Sequence, residues 1–237
     1  MPLPSGLPRD VVTDSMQVFY LHGFVSSPRA GKAQYLAERL AAIGLTLHAP
    51  DFNEPAFETL TTTRMIEQVE AAMAALPPGP VVLVGSSLGA FVAWHVAARA
   101  EQRRDTARQV DRMVLLAPAL ELDWSTFPEL GEDGLRRWRE RDALEIFHFA
   151  YGERRTVRYA LYTDAQRYDS RTAVVSAPTL IFQGRRDDLV DAGMVERFAQ
   201  SRPNVTLRLF EDDHRLQASL GPIWRETADF LGLDGLA

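Results

Sequence analysis

Val81-Val82-Leu83-Val84-Gly85-Ser86-Ser87-Leu88-Gly89, continued by Ala90-Phe91-Val92-Ala93-Trp94-His95-Val96-Ala97, is the stretch on which the reading of this chain turns. Four consecutive β-formers closed by Gly85 predict a strand buried on both faces, and the Ala-rich run after Gly89 predicts a helix. Between them lies G-x-S-x-G with Ser87 at its centre. In such an elbow the serine occupies a strained strand-to-helix turn that lifts its hydroxyl above the sheet edge, and side chains at the flanking glycines would strike neighbouring backbone. Leu88, opening the helix, would present an N–H as one donor of an oxyanion hole. The competing reading is a Gly/Ser turn in a nucleotide-binding sheet, but neither G-x-G-x-x-G nor G-x-x-x-x-G-K-[ST] is present here.

Outward from that stretch, apolar runs alternate with helical patterns. Gln17-Val18-Phe19-Tyr20-Leu21 predicts the first core strand, ending at His22-Gly23-Phe24. A helix is expected over 29–43, a short strand over 45–50 and a helix over 63–76. After the organising strand come strands at 112–116, 179–182 and 205–210, with helices at 190–200 and 222–231. Strands alternating with helices imply a parallel sheet with helices on both faces, and ligands then gather at the carboxyl ends of the strands. His22-Gly23-Phe24, Ser87, Asp187 and His214 all fall at such ends. There is no internal repeat and no low-complexity tract.

The 237 residues suit one sizeable α/β core. The division expected is a flexible leader over 1–15 and a single domain over 16–237. A net charge of −6 argues against a nucleic-acid partner, because phosphate neutralisation needs a basic face. Cysteine is absent, which removes disulfides, thiolate metal sites and a thiol nucleophile, and suits a cytoplasmic location. Residues 76–98 carry no charge, but Pro77-Pro78-Gly79-Pro80 and the Gly-Ser-Ser centre would break a membrane helix, so no membrane span is expected. Basic residues are nearly all arginine, with Lys32 the only lysine.

A serine alcohol needs a base, and the base an orienting carboxylate. In sheets built round a G-x-S-x-G turn, acid and base follow the serine in that order. Of the five histidines, His22 and His48 precede Ser87 and His95 lies on the helix after it. His148 falls in an inserted segment, where a base would be poorly fixed. His214, on the loop after the last strand, is the candidate. Asp187 and Asp188 compete for the acid, with Asp191 a more distant third.

G-S-S-L-G at Ser87, G-R-R-D-D-L-V at Asp187 and D-D-H at His214 resemble the α/β-hydrolase superfamily. Y-L-H-G-F-V-S-S-P from Tyr20 resembles the opening of small bacterial serine esterases with that fold. The likeness covers about residues 16–119 and 177–232. It implies a shortened, mostly parallel sheet of about six strands, because two strands that usually open the fold are not found. It selects Asp187 over Asp188, makes the Phe24 N–H the second oxyanion donor beside Leu88, and gives His22 a structural role. Ester or thioester hydrolysis through an acyl-serine, without metal or organic cofactor, is the implied activity; a peptidase or other acyl-transfer enzyme, and a non-catalytic binding protein, are the alternatives. Lys32, just after S-S-P, is expected to serve the first helix or lie on the surface.

Residues 121–176 interrupt the alternation. A helix is expected over 133–141, then a β-hairpin with arms 144–151 and 156–162. The segment leaves the sheet on the active-site side and is rich in aromatics. It could roof the pocket, with Trp124 and Phe24 touching substrate, or form a homodimer through the hairpin, or simply thicken the core.

Overall fold

The computed structural model describes residues 16–104, 109–122, 130 and 133–233. The first strand, β1, is Gln17–Leu21, followed by helix α1, Gly31–Ala41, and the short β2, Leu47–His48. A 3₁₀ turn at Phe57–Thr59 leads into α2, Thr62–Ala74. Then come β3, Val81–Ser86, α3, Leu88–Arg103, and β4, Val110–Leu116. The inserted segment contributes α4, Gly134–Arg141, the strands β5, Leu144–His148, and β6, Glu153–Val157, and α5, Ala160–Ala165. The chain closes with β7, Thr179–Gly184, α6, Ala192–Gln200, β8, Val205–Phe210, and α7, Leu220–Leu231.

Six strands form one sheet in the order β2-β1-β3-β4-β7-β8, every neighbouring pair parallel. Side chains alternate between its faces, as the pleat requires. Phe19, Leu21, Val81, Leu83, Met113, Leu115 and Ile181 join the core under α2, α3 and α6. Val18, Tyr20, Val82, Val84, Val114, Leu116, Leu180 and Phe182 join the core on the other face, with Leu36, Leu40, Ile223 and Trp224 of α1 and α7. Each fully buried large side chain of this kind contributes roughly 1.5–3 kcal/mol. Covering both faces explains why the central strands read as unbroken apolar runs. No helix among the described residues is long and apolar enough to cross a membrane.

The hairpin departs from its expected limits. β5 pairs antiparallel with β6 from Leu144↔Val157 to His148↔Glu153, so the second arm begins and ends earlier than its sequence suggests. Tyr159 and Tyr162 enter α5 instead of extending the strand. Their rings stack 5.1 Å apart, a spacing of three residues that a helix brings to one face, and both meet Trp138 edge-on. Packing on Trp138 thus overrides the β-propensity of the aromatic run. The inserted segment also adds to the core beneath α2 and α3 through Trp138, Ile146, Val157 and Leu161.

Candidate active site

Ser87 follows β3 directly and caps α3 with φ 54° and ψ −119°, a conformation that costs a non-glycine residue about 1–3 kcal/mol. Its N–H donates to the Leu116 carbonyl at 2.9 Å, and its own carbonyl accepts from Ala90 at 3.0 Å, so both neighbouring elements hold the turn. A Cβ at Gly89 would run into the carbonyl of Leu21. The missing side chain lets α3 start hard against the end of β1, which brings the loop after β1 beside Ser87. Leu88 is the first residue of α3, where the helix itself offers its N–H no carbonyl.

His214 Nε2 lies 3.1 Å from Ser87 Oγ, and His214 Nδ1 lies 2.9 and 3.0 Å from the two carboxylate oxygens of Asp187. The Asp187 side chain is wholly buried, while that of His214 keeps 16% exposure. The carboxylate also accepts from the N–H groups of Leu189 and Val190 and from Gln183 Nε2, each at 2.9 Å. Burial pushes the Asp187 carboxyl up, but the bond and charge of His214 and those two backbone donors outweigh it and hold the group below the usual carboxylate range. A Cβ at Gly184 would collide with the Asp212 carbonyl, so this glycine lets the loops after β7 and β8 touch. Arg186 N–H donates to that same carbonyl at 3.0 Å.

Phe24 stands two residues beyond His22, in the loop after β1. The amide N–H of Phe52 donates to His22 Nε2 at 2.9 Å, which leaves Nδ1 to carry the proton and donate to the Gly23 carbonyl at 2.9 Å. Asp51 stands farther from Nε2, at 3.4 Å, so Phe52 is the better partner. The arrangement unites a strained serine hydroxyl, an imidazole in line with it, and a buried carboxylate behind the imidazole. Such a set can activate an alcohol as a nucleophile and shuttle its proton. Among the described residues no cluster of three His, Cys, Asp or Glu side chains is placed to hold a metal ion.

Residues 17–227 match the profile of the Uncharacterised protein family (UPF0227). The chain belongs to that family. No curated protein sequence matches it. Among solved structures, a protein of Agrobacterium vitis S4 is similar with a TM-score of 0.80 and 24% identity, over 92% of this chain and 88% of that one. Alpha/beta hydrolase domain-containing protein 10 from mouse is similar with a TM-score of 0.73 and 19% identity, over 93% and 90%. Est1E from Butyrivibrio proteoclasticus, solved with ferulic acid bound, is similar with a TM-score of 0.70 and 17% identity, over 95% and 92%. The UPF0227 chain therefore has the α/β-hydrolase fold, in its six-stranded form.

Other residues singled out in the sequence of this UPF0227 protein lie as follows. Asp188 is exposed, and Asp191 caps α6 by accepting from Gly193 and Met194 N–H, both at 3.0 Å. His48 sits in β2 against Phe19. His95 is buried at 3.2 Å from Ser170 Oγ, and burial lowers its imidazole to about 4 against the pull of Asp169. Trp124 lies outside the described residues. Lys32, expected to serve the first helix or lie on the surface, stands in α1, where it is half-buried and donates to the His214 carbonyl at 3.4 Å. Burial lowers its ammonium to about 8, opposed by Asp187, Asp213 and Asp212. His148, read as poorly fixed, is fully buried and lies 2.9 Å from Asn53 Oδ1. Sequence reasoning missed Gln183 and Asn53 altogether. A polar residue closing the apolar run Thr179-Leu180-Ile181-Phe182 was the available signal for Gln183.

Proposed function

We propose that this protein is a serine hydrolase that cleaves a carboxylic ester or thioester through an acyl-Ser87 intermediate. Ser87 Oγ attacks the acyl carbon while His214 Nε2 takes its proton, and the N–H groups of Phe24 and Leu88 bind the oxyanion. The tetrahedral species collapses, the bond to the leaving group breaks, and His214 returns the proton to the departing oxygen or sulfur. Water then attacks the acyl-serine by the same route, and Asp187 holds the imidazole throughout. The observation that carries this reading is the unbroken line from Ser87 Oγ through His214 to the buried Asp187, with separations of 3.1 and 2.9 Å. Ester chemistry is further supported by the shared fold of Est1E with ferulic acid bound and of a monoacylglycerol lipase from Paleococcus ferrophilus.

The test is a fluorophosphonate probe together with a panel of p-nitrophenyl esters from acetate to palmitate and acyl-CoA thioesters. The expected outcome is labelling and turnover by the wild type, with both abolished in Ser87→Ala while the protein stays folded. Losing the nucleophile leaves only binding and the oxyanion donors to act. More than a few per cent of wild-type turnover in Ser87→Ala would overturn the reading.

A further inference from the structure

We propose that His148, on the inserted hairpin, is a positioning residue for the oxyanion loop and acts on it through Asn53. The proposal deepens the acyl-Ser87 reading and rests on it.

Asn53 is buried, and its Nδ2 lies 2.9 Å from the Ser26 carbonyl and 2.7 Å from Asp51 Oδ1. Both are acceptors, so this end of the amide is the nitrogen and the atom facing His148 is the oxygen. An amide oxygen only accepts, so His148 Nε2 carries the proton and donates across 2.9 Å. The ring is held on two sides, stacked on Tyr151 at 4.3 Å and met edge-on by Phe57 at 4.7 Å. His148 and Asn53 are 95 residues apart in sequence, so this bond ties the inserted segment to the framework.

The same short stretch, Asp51 to Asn53, grips the oxyanion loop at two points. Phe52 N–H fixes the His22 ring, whose Nδ1–H fixes the Gly23 carbonyl. That carbonyl and the Phe24 N–H belong to one rigid peptide plane, so orienting one orients the other. Asn53 holds the far side of the loop at Ser26. Between the two grips, Val25 has φ 51°, a left-handed conformation that is an outlier for a β-branched residue. Strain of this kind persists only where its surroundings over-determine it. The Phe24 ring continues the contact, stacked on Phe57 at 5.5 Å, and Phe57 in turn meets His148. Releasing Asn53 would let Val25 relax and turn the Phe24 peptide away from the oxyanion. A residue that merely filled the core would leave that peptide where it is.

His148→Phe keeps a ring and removes the donor, whereas His148→Gln keeps an N–H at similar reach. Both are measured on p-nitrophenyl butyrate beside wild type and Ser87→Ala. In His148→Phe, kcat is expected to fall about 10–100-fold with KM within about 2-fold, somewhat less than the loss of an oxyanion donor outright. His148→Gln should recover kcat to within about 3-fold. Wild-type kcat in His148→Phe, or a change confined to KM, overturns the proposal. Should His148→Phe fail to fold, Asn53→Asp keeps the acceptor for His148 and loses the donor to both Ser26 and Asp51; it should show the same loss of kcat, and full kcat there overturns the proposal. Activity surviving in Ser87→Ala strikes the acyl-serine reading itself. A dead Ser87→Ala beside a normal His148→Phe strikes only the positioning role.

Discussion

Along the β7–β8 edge, Asp187 and His214 are held largely by the main chain of the sheet's own loops. Leu189 and Val190 donate to the carboxylate, and Gly184 allows those loops to touch. At the carboxyl end of β1, the loop carrying Phe24 is held by the side chains of Asn53 and Phe57, and both of these meet His148 of the inserted segment. Groups oriented by framework backbone survive most substitutions elsewhere, while groups oriented by remote side chains do not. In the mechanism proposed above, the acid–base half of the site should therefore be little affected by changes elsewhere. The oxyanion half should be sensitive to the inserted segment.

The sharpest contrast comes from Asp187→Asn. Every partner of this carboxylate is a donor: Leu189 N–H, Val190 N–H, Gln183 Nε2 and His214 Nδ1. An amide placed here must turn its NH₂ toward one of them. Facing His214, it would force the proton onto Nε2, where the imidazole can no longer take one from Ser87. We expect kcat to fall about 10⁴-fold, the loss known for this change in a serine protease. That is at least a hundredfold more than expected for His148→Phe. Equal losses in steady-state assays would remove the distinction between the two halves of the site.

How much of this could be read from the sequence follows the same division. The ends of β1 and β8 fall where the residue pattern puts them, because apolar runs and alternation are local properties bounded by polar loops. Ser87 directly follows β3, and Asp187 and His214 lie three and four residues past the ends of β7 and β8, so all three stand near strand ends that are visible in one dimension. The choice of Asp187 over Asp188 comes from the resemblance to α/β-hydrolases. The sequence sets His148 aside as a base because it falls in an inserted segment, and its partner Asn53 lies 95 residues away. Local pattern says nothing of such a pairing, and an inserted hairpin looks like a poor anchor until its inward face is known. The second arm departs from its expected limits for a related reason: Tyr159 and Tyr162 have β-propensity alone, but their packing on Trp138 favours a helix.

Lys32 gives an intermediate effect, visible in stability. Its ammonium, lowered to about 8 by burial against the pull of Asp187, Asp213 and Asp212, is ordinarily near 10.5. Below pH 8 both folded and unfolded chains hold the proton, and the folded state bears the full cost of burying the charge. Between about 8 and 10.5 the unfolded chain binds more protons than the folded one, so stability rises with pH through this window as far as this group is concerned. Lys32→Met removes the charge and its pH dependence together. The difference in melting temperature between variant and wild type should therefore shift in favour of wild type as pH rises from 8 to 10. A constant difference across thermal melts in that range would show that the ammonium is not held at a cost.

The smallest effect should come from Asp188→Asn, one residue from the largest. Asp188 is exposed on the loop whose neighbouring carboxylate meets His214. An exposed charge beyond direct contact acts on the site only through solvent, and at about 0.15 M salt the screening length is about 8 Å. Its removal should leave kcat/KM within about 3-fold of wild type, and that small difference should shrink further as salt is raised. The adjacent pair thus separates a carboxylate fixed by four donors from one facing water. If Asp188→Asn instead lost activity by orders of magnitude while Asp187→Asn stayed mild, the acid would belong one position later. The backbone cradle formed by Leu189 and Val190 would then have no part in orienting His214.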